Sequence, residues 1–390
     1  MKTERVRMVR LLTSEQQARY KQFQEFVKTS VESEANRWDG EGKIPLSVIS
    51  EMGRRGYLGS TIPVEWGGQG WDFVTFGLLN EALGRGFSSL AGLITVQAMV
   101  TMTLLKWGSD KQRSRWIKPL AKGETVASFA LTEPNVGSAI QSLETTFVQD
   151  GDNYILNGCK RWISGGQIAD LFMVFGRCEN KSLACLVSKE APGLAITPIE
   201  TMLGFRAGRL AQIDFSGVKV PAEDLVGKPG FALSHVAPTG LQYGRLSTAC
   251  SALGLLRGCF EESIAYASSR KIAGRRIGEE GMICSMITQM GTDLQAANLL
   301  CYSACKAEDD HLPETFEKTM VAKYFASRAA VRAASDAVQI RGASGCHEAS
   351  PVARFYRDAK ITEIIEGTTQ IHEQVLGRIF LHRAPRVRKS

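Results

Sequence analysis

The segment ITEIIEGTTQIHEQVLGRIF at 361–380 sets one carboxylate, Glu366, between two isoleucines and a Gly-Thr-Thr step at the mouth of an apolar helix. Burial there, among Ile364 and Ile365, would raise its pKa and strengthen it as a base, provided that no cation neutralises it. The helix start just after it offers free backbone amides, which suit an oxygen that gains negative charge. The plainer reading of the same residues is a helix-start carboxylate favoured by the dipole, with Gly367 serving a tight backbone. Cys301 and Cys305 stand one helical turn apart and read as a buried helix face rather than a redox or metal pair. The five histidines form no ligand cluster with them, so no metal is expected.

Such residues need a scaffold, and 390 residues with 44% hydrophobic content can bury a large core in two or three subdomains. Residues 12–122 repeat apolar positions at spacings of three and four, as in EQQARYKQFQEFVKTSVE, which predicts helices. Between 124 and 230 short runs rich in valine, isoleucine, phenylalanine and threonine alternate with glycine and asparagine turns, which predicts an antiparallel β module. From 231 to 385 long alanine-filled helical segments return and suggest a bundle. The class is therefore α+β, divided at 1–123, 124–230 and 231–390.

Stretches such as SALGLLRGCF are interrupted well before the roughly 20 apolar residues of a membrane span, so none is expected. The start carries Glu4 and Glu15 and no continuous apolar run, so it does not read as a secretory signal; a short mitochondrial presequence stays open. Nine scattered cysteines suit a reducing, cytoplasmic setting. The net charge of +7 is concentrated partly in the tails KTERVRMVR and LHRAPRVRKS, which are either simply solvated or attracted to a polyanion.

Three stretches narrow the function together: ASFALTEPNVGS at 127–138, LNGCKRWISGG at 156–166 and DAVQIRGASGCHEASPVARFYRDAKITEIIEGTTQIH at 336–372. They resemble the acyl-CoA dehydrogenase family, and the resemblance covers nearly the whole chain. It implies a flavoprotein with an N-terminal helical domain, a middle β domain and a C-terminal four-helix bundle, assembled as a tetramer or dimer. It also implies removal of two hydrogens from the α and β carbons of an acyl thioester. Glu366 falls on a position used for the catalytic base, which takes the weakly acidic α-hydrogen while the β-hydride goes to the flavin. Some members carry the base one residue before the arginine of YGR; here that residue is Gly244, which leaves Glu366 as the candidate.

For the implied cofactor, FAD, the resemblance assigns Leu131 and Thr132 to the isoalloxazine edge, and Trp162 and Ser164 to one flavin face and its reactive nitrogen. Ser138 matches a contact to the flavin phosphate or the substrate. Arg270 matches an arginine that reaches the pyrophosphate across a subunit interface, Gln339 and Gly342 match contacts to the adenosine half, and Thr368 and Gln370 match further cofactor contacts. Arg245 matches an arginine near the base and, with Ser138 and Gly367, falls at the substrate. Ala139, Ala273 and Gly281 depart from an aspartate, an aromatic residue and a glutamine, each removing a contact or packing surface on the FAD side. Arg209 stands where an acidic residue is frequent.

The first reading is thus an FAD-dependent dehydrogenase of an acyl thioester on coenzyme A or an acyl carrier protein, passing electrons to an electron-transfer flavoprotein. NVGS, SLETTF and RAGRLAQIDF look more like members that act on carrier-protein-tethered groups in secondary metabolism. A second reading keeps the flavin and uses oxygen directly, although the retained Glu366 argues against a monooxygenase. A third is a non-catalytic flavin protein that binds nucleic acid; no basic helix interleaved with aromatics supports it.

Overall fold

Capping residues open three of the six N-terminal helices of the computed structural model, which describes residues 11–383. The tail KTERVRMVR and all but the start of LHRAPRVRKS lie outside the described residues. Thr13 and Gln16 form a capping box at α1 (Ser14–Ser30), and Ser109 and Gln112 form another at α6 (Asp110–Lys122). Between them lie α2 (Ala35–Glu41), α3 (Leu46–Arg54), α4 (Phe73–Gly86) and α5 (Ser88–Trp107). At the head of α4, Asp72 accepts the Thr75 amide at 2.7 Å.

The expectation that every apolar run stops short of a membrane span is corrected by α5. Its 20 residues have a mean hydropathy of 1.5, enough by length and composition, but 83% of that window is buried inside the fold. It is a helix of the protein's own core.

The strands β1 (Ala127–Ala130), β2 (Thr146–Asp150), β3 (Asn153–Ile163), β4 (Leu171–Cys178), β5 (Lys181–Ser188), β6 (Leu194–Pro198) and β7 (Ala211–Pro221) form one sheet. Its order is β1-β4-β2-β3-β7-β6, with β5 on β4. The expected antiparallel module is corrected in one respect: β1 runs parallel to β4, and β2 meets β4 in parallel at one pair. The β2–β3 hairpin intervenes as a crossover, so β4 returns in the direction of β1. Against β7, β3 slips register twice, and the second slip, between Lys160 and Ile163, leaves Arg161 and Trp162 out of the ladder.

The C-terminal third holds α7 (Ala237–Ser269), α8 (Gly281–Asp309), α9 (Thr315–Arg341), α10 (Pro351–Thr362) and α11 (Thr369–His382). α7, α8 and α9 pack on one another, and α10 closes the bundle against α7 and α9. Alanines such as Ala326, Ala330, Ala333 and Ala337 are buried along α9 and let the axes approach. One hydrophobic core runs through both helical regions. The buried Glu81 of α4 pairs with Arg257 of α7 at 2.6 Å, and Asp309 at the end of α8 accepts the Phe73 amide at 2.6 Å. A hairpin, β8 (Lys271–Ile272) and β9 (Arg275–Arg276), separates α7 from α8; its turn residues Ala273 and Gly274 take φ of 48° and 84°.

Candidate active site

Between the end of α10 and the start of α11 the chain must reverse within a few residues. Ile364 and Ile365 bond back to the Ile361 carbonyl at 3.0 and 3.1 Å, and then Glu366 and Gly367 take φ of 55° and 93°. A left-handed glutamate costs about 1–2 kcal/mol and needs outside support. Two cations give it: Arg245 Nε of α7 donates to the Glu366 carbonyl at 3.3 Å, and Lys323 Nζ of α9 donates to the Gly367 carbonyl at 2.7 Å. Thr368 then caps α11 by accepting the Ile371 amide at 3.3 Å.

The carboxylate of Glu366 fills the place of a side chain that α7 lacks. A β-carbon on Gly244 would lie 2.2 Å from Glu366 Oε2 and 2.9 Å from Met99 Sδ. Glu366 as a residue is partly accessible, yet Oε2 is enclosed and has no hydrogen-bond partner among the described residues. Loss of water pushes the carboxyl up to about 7, with the nearby charges of Arg245 and Lys323 pulling it down by less. Burial also pushes the Lys323 ammonium down to about 7. Both cations bond to carbonyl oxygens rather than to the carboxylate, so the carboxylate is not paired off. The expected enclosure by Ile364 is corrected, since that side chain is 52% exposed; Met99 and the bare flank of α7 form the wall. Met99 and Lys323 were not foreseen from sequence. The only signal for Lys323 is a lone cation on the alanine-rich face of MVAKYFASRAA.

One stripe of α5 joins this turn to the sheet. A β-carbon on Gly165 would meet Leu93 and Val96 at 3.6 and 3.9 Å, and one on Gly240 would meet Phe129 of β1 at 2.5 Å and Thr103 at 3.1 Å. Leu93, Val96, Met99 and Thr103 recur at helical spacing, so the 162–166 turn, the end of β1 and Glu366 border one region. There Trp162, at φ 63°, turns its indole outward, 45% exposed, with the Arg161 guanidinium 4.8 Å above the ring. The hydroxyls of Thr132 and Ser164 are half-buried and bonded to no described residue. An open aromatic face with free hydroxyls beside it fits a flat, hydrogen-bonding heterocycle such as a flavin. Beneath it, buried Lys160 bonds Glu133 at 2.7 Å and the Leu131 carbonyl at 3.1 Å, while Arg161 donates its amide to the Thr132 carbonyl at 2.9 Å. Ser138 is exposed on the loop beyond.

The remaining assigned residues lie elsewhere. Arg270 ends α7, and Gln339 and exposed Gly342 end α9, where Arg341 stacks 5.2 Å over Tyr266. At 1.5 Å per residue, Arg270 is roughly 39 Å along α7 from Gly244. Within one chain these three do not meet Glu366. Thr368 acts as a helix cap and Gln370 is exposed. Gly281 opens α8 with free space where a β-carbon would stand, and Ala139 is exposed. Arg209 is left-handed, with φ 54°, and accepts the Gln167 amide at its carbonyl. Among the described residues no group of three or more potential ligands could hold a metal ion.

Family models for the N-terminal, middle and C-terminal domains of acyl-CoA dehydrogenases match residues 13–124, 128–218 and 234–381. The chain belongs to the acyl-CoA dehydrogenase family. It is 33% identical over 376 residues to an acyl-CoA dehydrogenase of Bacillus subtilis, covering 95% of this chain and 99% of that one. The dehydrogenase superposes on butyryl-CoA dehydrogenase from Megasphaera elsdenii with a TM-score of 0.91 and 28% identity, over 95% and 99% of the two chains. It also superposes on the prolyl acyl carrier protein oxidase AnaB with a TM-score of 0.89 and 27% identity, again over 95% and 99%. It is an oxidoreductase and a flavoprotein, with the helical, β and helical domains of its family.

Proposed function

We propose that this dehydrogenase desaturates an acyl thioester between its α and β carbons, with Glu366 as the base. The observation that carries the reading is the enclosed, unpartnered Oε2 seated in the space left by Gly244. FAD, when bound, supplies the hydride acceptor. The Glu366 carboxylate takes the α-proton at Oε2, and exclusion of water keeps it basic. The amides of Glu366, Gly367 and Thr368 donate to no described residue, which leaves donors for the thioester oxygen as it gains charge. Trp162, Thr132 and Ser164 would hold the flavin ring.

A polar cavity of about 220 Å³ opens between the β4–β5 hairpin and the approach to α7, lined by Arg177, Asn180, Lys181, Ser182 and Ser234. It lies roughly 16 Å along the helical path from Gly244, counted from Leu233. Its two cations suit the phosphate of coenzyme A or of a carrier-protein arm, and likeness to a carrier-protein oxidase favours testing both. An electron-transfer flavoprotein would be the acceptor partner of the loaded enzyme. The separation of Arg270, Gln339 and Gly342 from Glu366 supports a homo-oligomer in which two chains grip each FAD.

The test is the visible spectrum of purified protein under anaerobic conditions, before and after a panel of acyl-CoA and acyl-carrier thioesters. Bleaching of a yellow protein by one class is expected and identifies the carrier. A protein that neither carries nor takes up FAD would overturn the reading, and oxygen uptake without an added acceptor would replace the dehydrogenase with an oxidase.

A further inference from the structure

The mechanism leaves the buried cation beside the base, Lys323, unused. Lys323 is fully buried on α9, among the buried alanines Ala322, Ala326 and Ala330, and its ammonium bonds the neutral Gly367 carbonyl. No carboxylate pairs with it among the described residues, an arrangement that is costly in an apolar core. Packing alone would be served by one more alanine. What the charge does act on is the carboxylate of the adjoining residue.

Four groups face that carboxylate or its turn: Arg245 from α7, Lys323 from α9, Glu363 at the end of α10 and His372 from α11. His372 is buried with Nδ1 3.0 Å from the Thr368 carbonyl, and burial pushes it down to about 4, so it is neutral in the working range. Arg245 keeps its charge throughout. Lys323, whose ammonium burial brings down to about 7, is therefore the group on the bundle side of the base that gains or loses its charge within the working range.

We propose that Lys323 is a positioning residue for the reaction: it clamps the Gly367 carbonyl, which holds the left-handed Glu366 turn, and its charge sets the pH at which Glu366 becomes an active base. The proposal rests on Glu366 being that base. Removing a neighbouring positive charge destabilises the ionised carboxylate, so the base should ionise at higher pH.

The experiment compares wild-type holoenzyme with Lys323→Met, Lys323→Gln, Lys323→Arg and Glu366→Gln. Flavin bleaching by butyryl-CoA is followed anaerobically from about pH 6 to about pH 10. In parallel, the infrared band of the protonated carboxyl group, identified as the one missing in Glu366→Gln, is titrated without substrate. In Lys323→Met and Lys323→Gln both the rising limb of the rate and the infrared band should move up by about one pH unit, giving roughly tenfold lower bleaching near neutrality that recovers in alkali. Lys323→Arg, charged at every pH, should place the rising limb at or below its wild-type pH. Lys323→Gln retains a donor for Gly367 and should keep the higher plateau of the two neutral variants. An equal loss at every pH with an unmoved infrared band would overturn the proposal and leave Lys323 a packing residue. Wild-type bleaching by Glu366→Gln would instead remove the base assignment itself, whatever the Lys323 variants show.

Discussion

Gly244 and Glu366 share one space, and each constrains what the other residue can be. In Gly244→Ala the new β-carbon would stand 2.2 Å from Oε2, and the carboxylate, as the end of a flexible side chain, would yield before the helix. Flavin reduction should fall about 10²-fold or more with the FAD absorbance unchanged, measurable by stopped flow. Protonation gives a second check. Glu366 moves from its ordinary 4.5 up to about 7 on folding, so between those values the native state binds the proton more tightly and stability declines as pH rises. Glu366→Gln should therefore raise Tm at about pH 8 and leave it nearly unchanged at about pH 4, where both states are protonated; an equal shift at both would contradict the burial. The identity of this carboxylate was legible because EGT follows DAVQIRG and RDAK. Of its surroundings, Gly244 and Arg245 were named through the resemblance around YGR, whereas Met99 and Lys323 were not, since they arrive from two other helices.

The elements hold the peptides assigned to the flavin through a buried ion pair that spans β3 and the segment after β1. Lys160→Met would leave Glu133 buried without its cation, at a cost of about 3–5 kcal/mol in urea unfolding, and the Leu131–Thr132 peptide would lose its anchor. FAD release, read by flavin fluorescence, should become easier; unchanged stability and retention would show that the pair does not brace the site. In the sequence TEPNVGS and KRWIS were each visible, but the bond between Glu133 and Lys160 joins them only through the sheet. The helical regions were legible from apolar spacings of three and four, and the strand region from its short β-branched and aromatic runs between glycine and asparagine turns. The parallel pairing of β1 with β4 was not, because strand direction depends on where the chain returns after the β2–β3 hairpin.

At the scale of the molecule, the assigned flavin residues fall into two groups, one beside Glu366 and one at the far end of the bundle. If two chains complete each site, co-assembled Arg270→Ala and Glu366→Gln subunits should recover part of the flavin bleaching that each lacks alone, since some sites then carry neither lesion. No recovery in verified mixed oligomers would place all contacts within one chain. The order of helices, strands and helices was readable from composition, whereas the distance from Gly244 to Arg270 needed the unbroken run of α7. The account as a whole turns on one carboxylate. Its most direct test is anaerobic stopped-flow mixing of FAD-loaded wild type and Glu366→Gln with the thioester that bleaches the wild type. The variant should bind FAD normally and show flavin reduction slowed by about 10² to 10⁴-fold or more. Bleaching at the wild-type rate would mean that another group takes the α-proton.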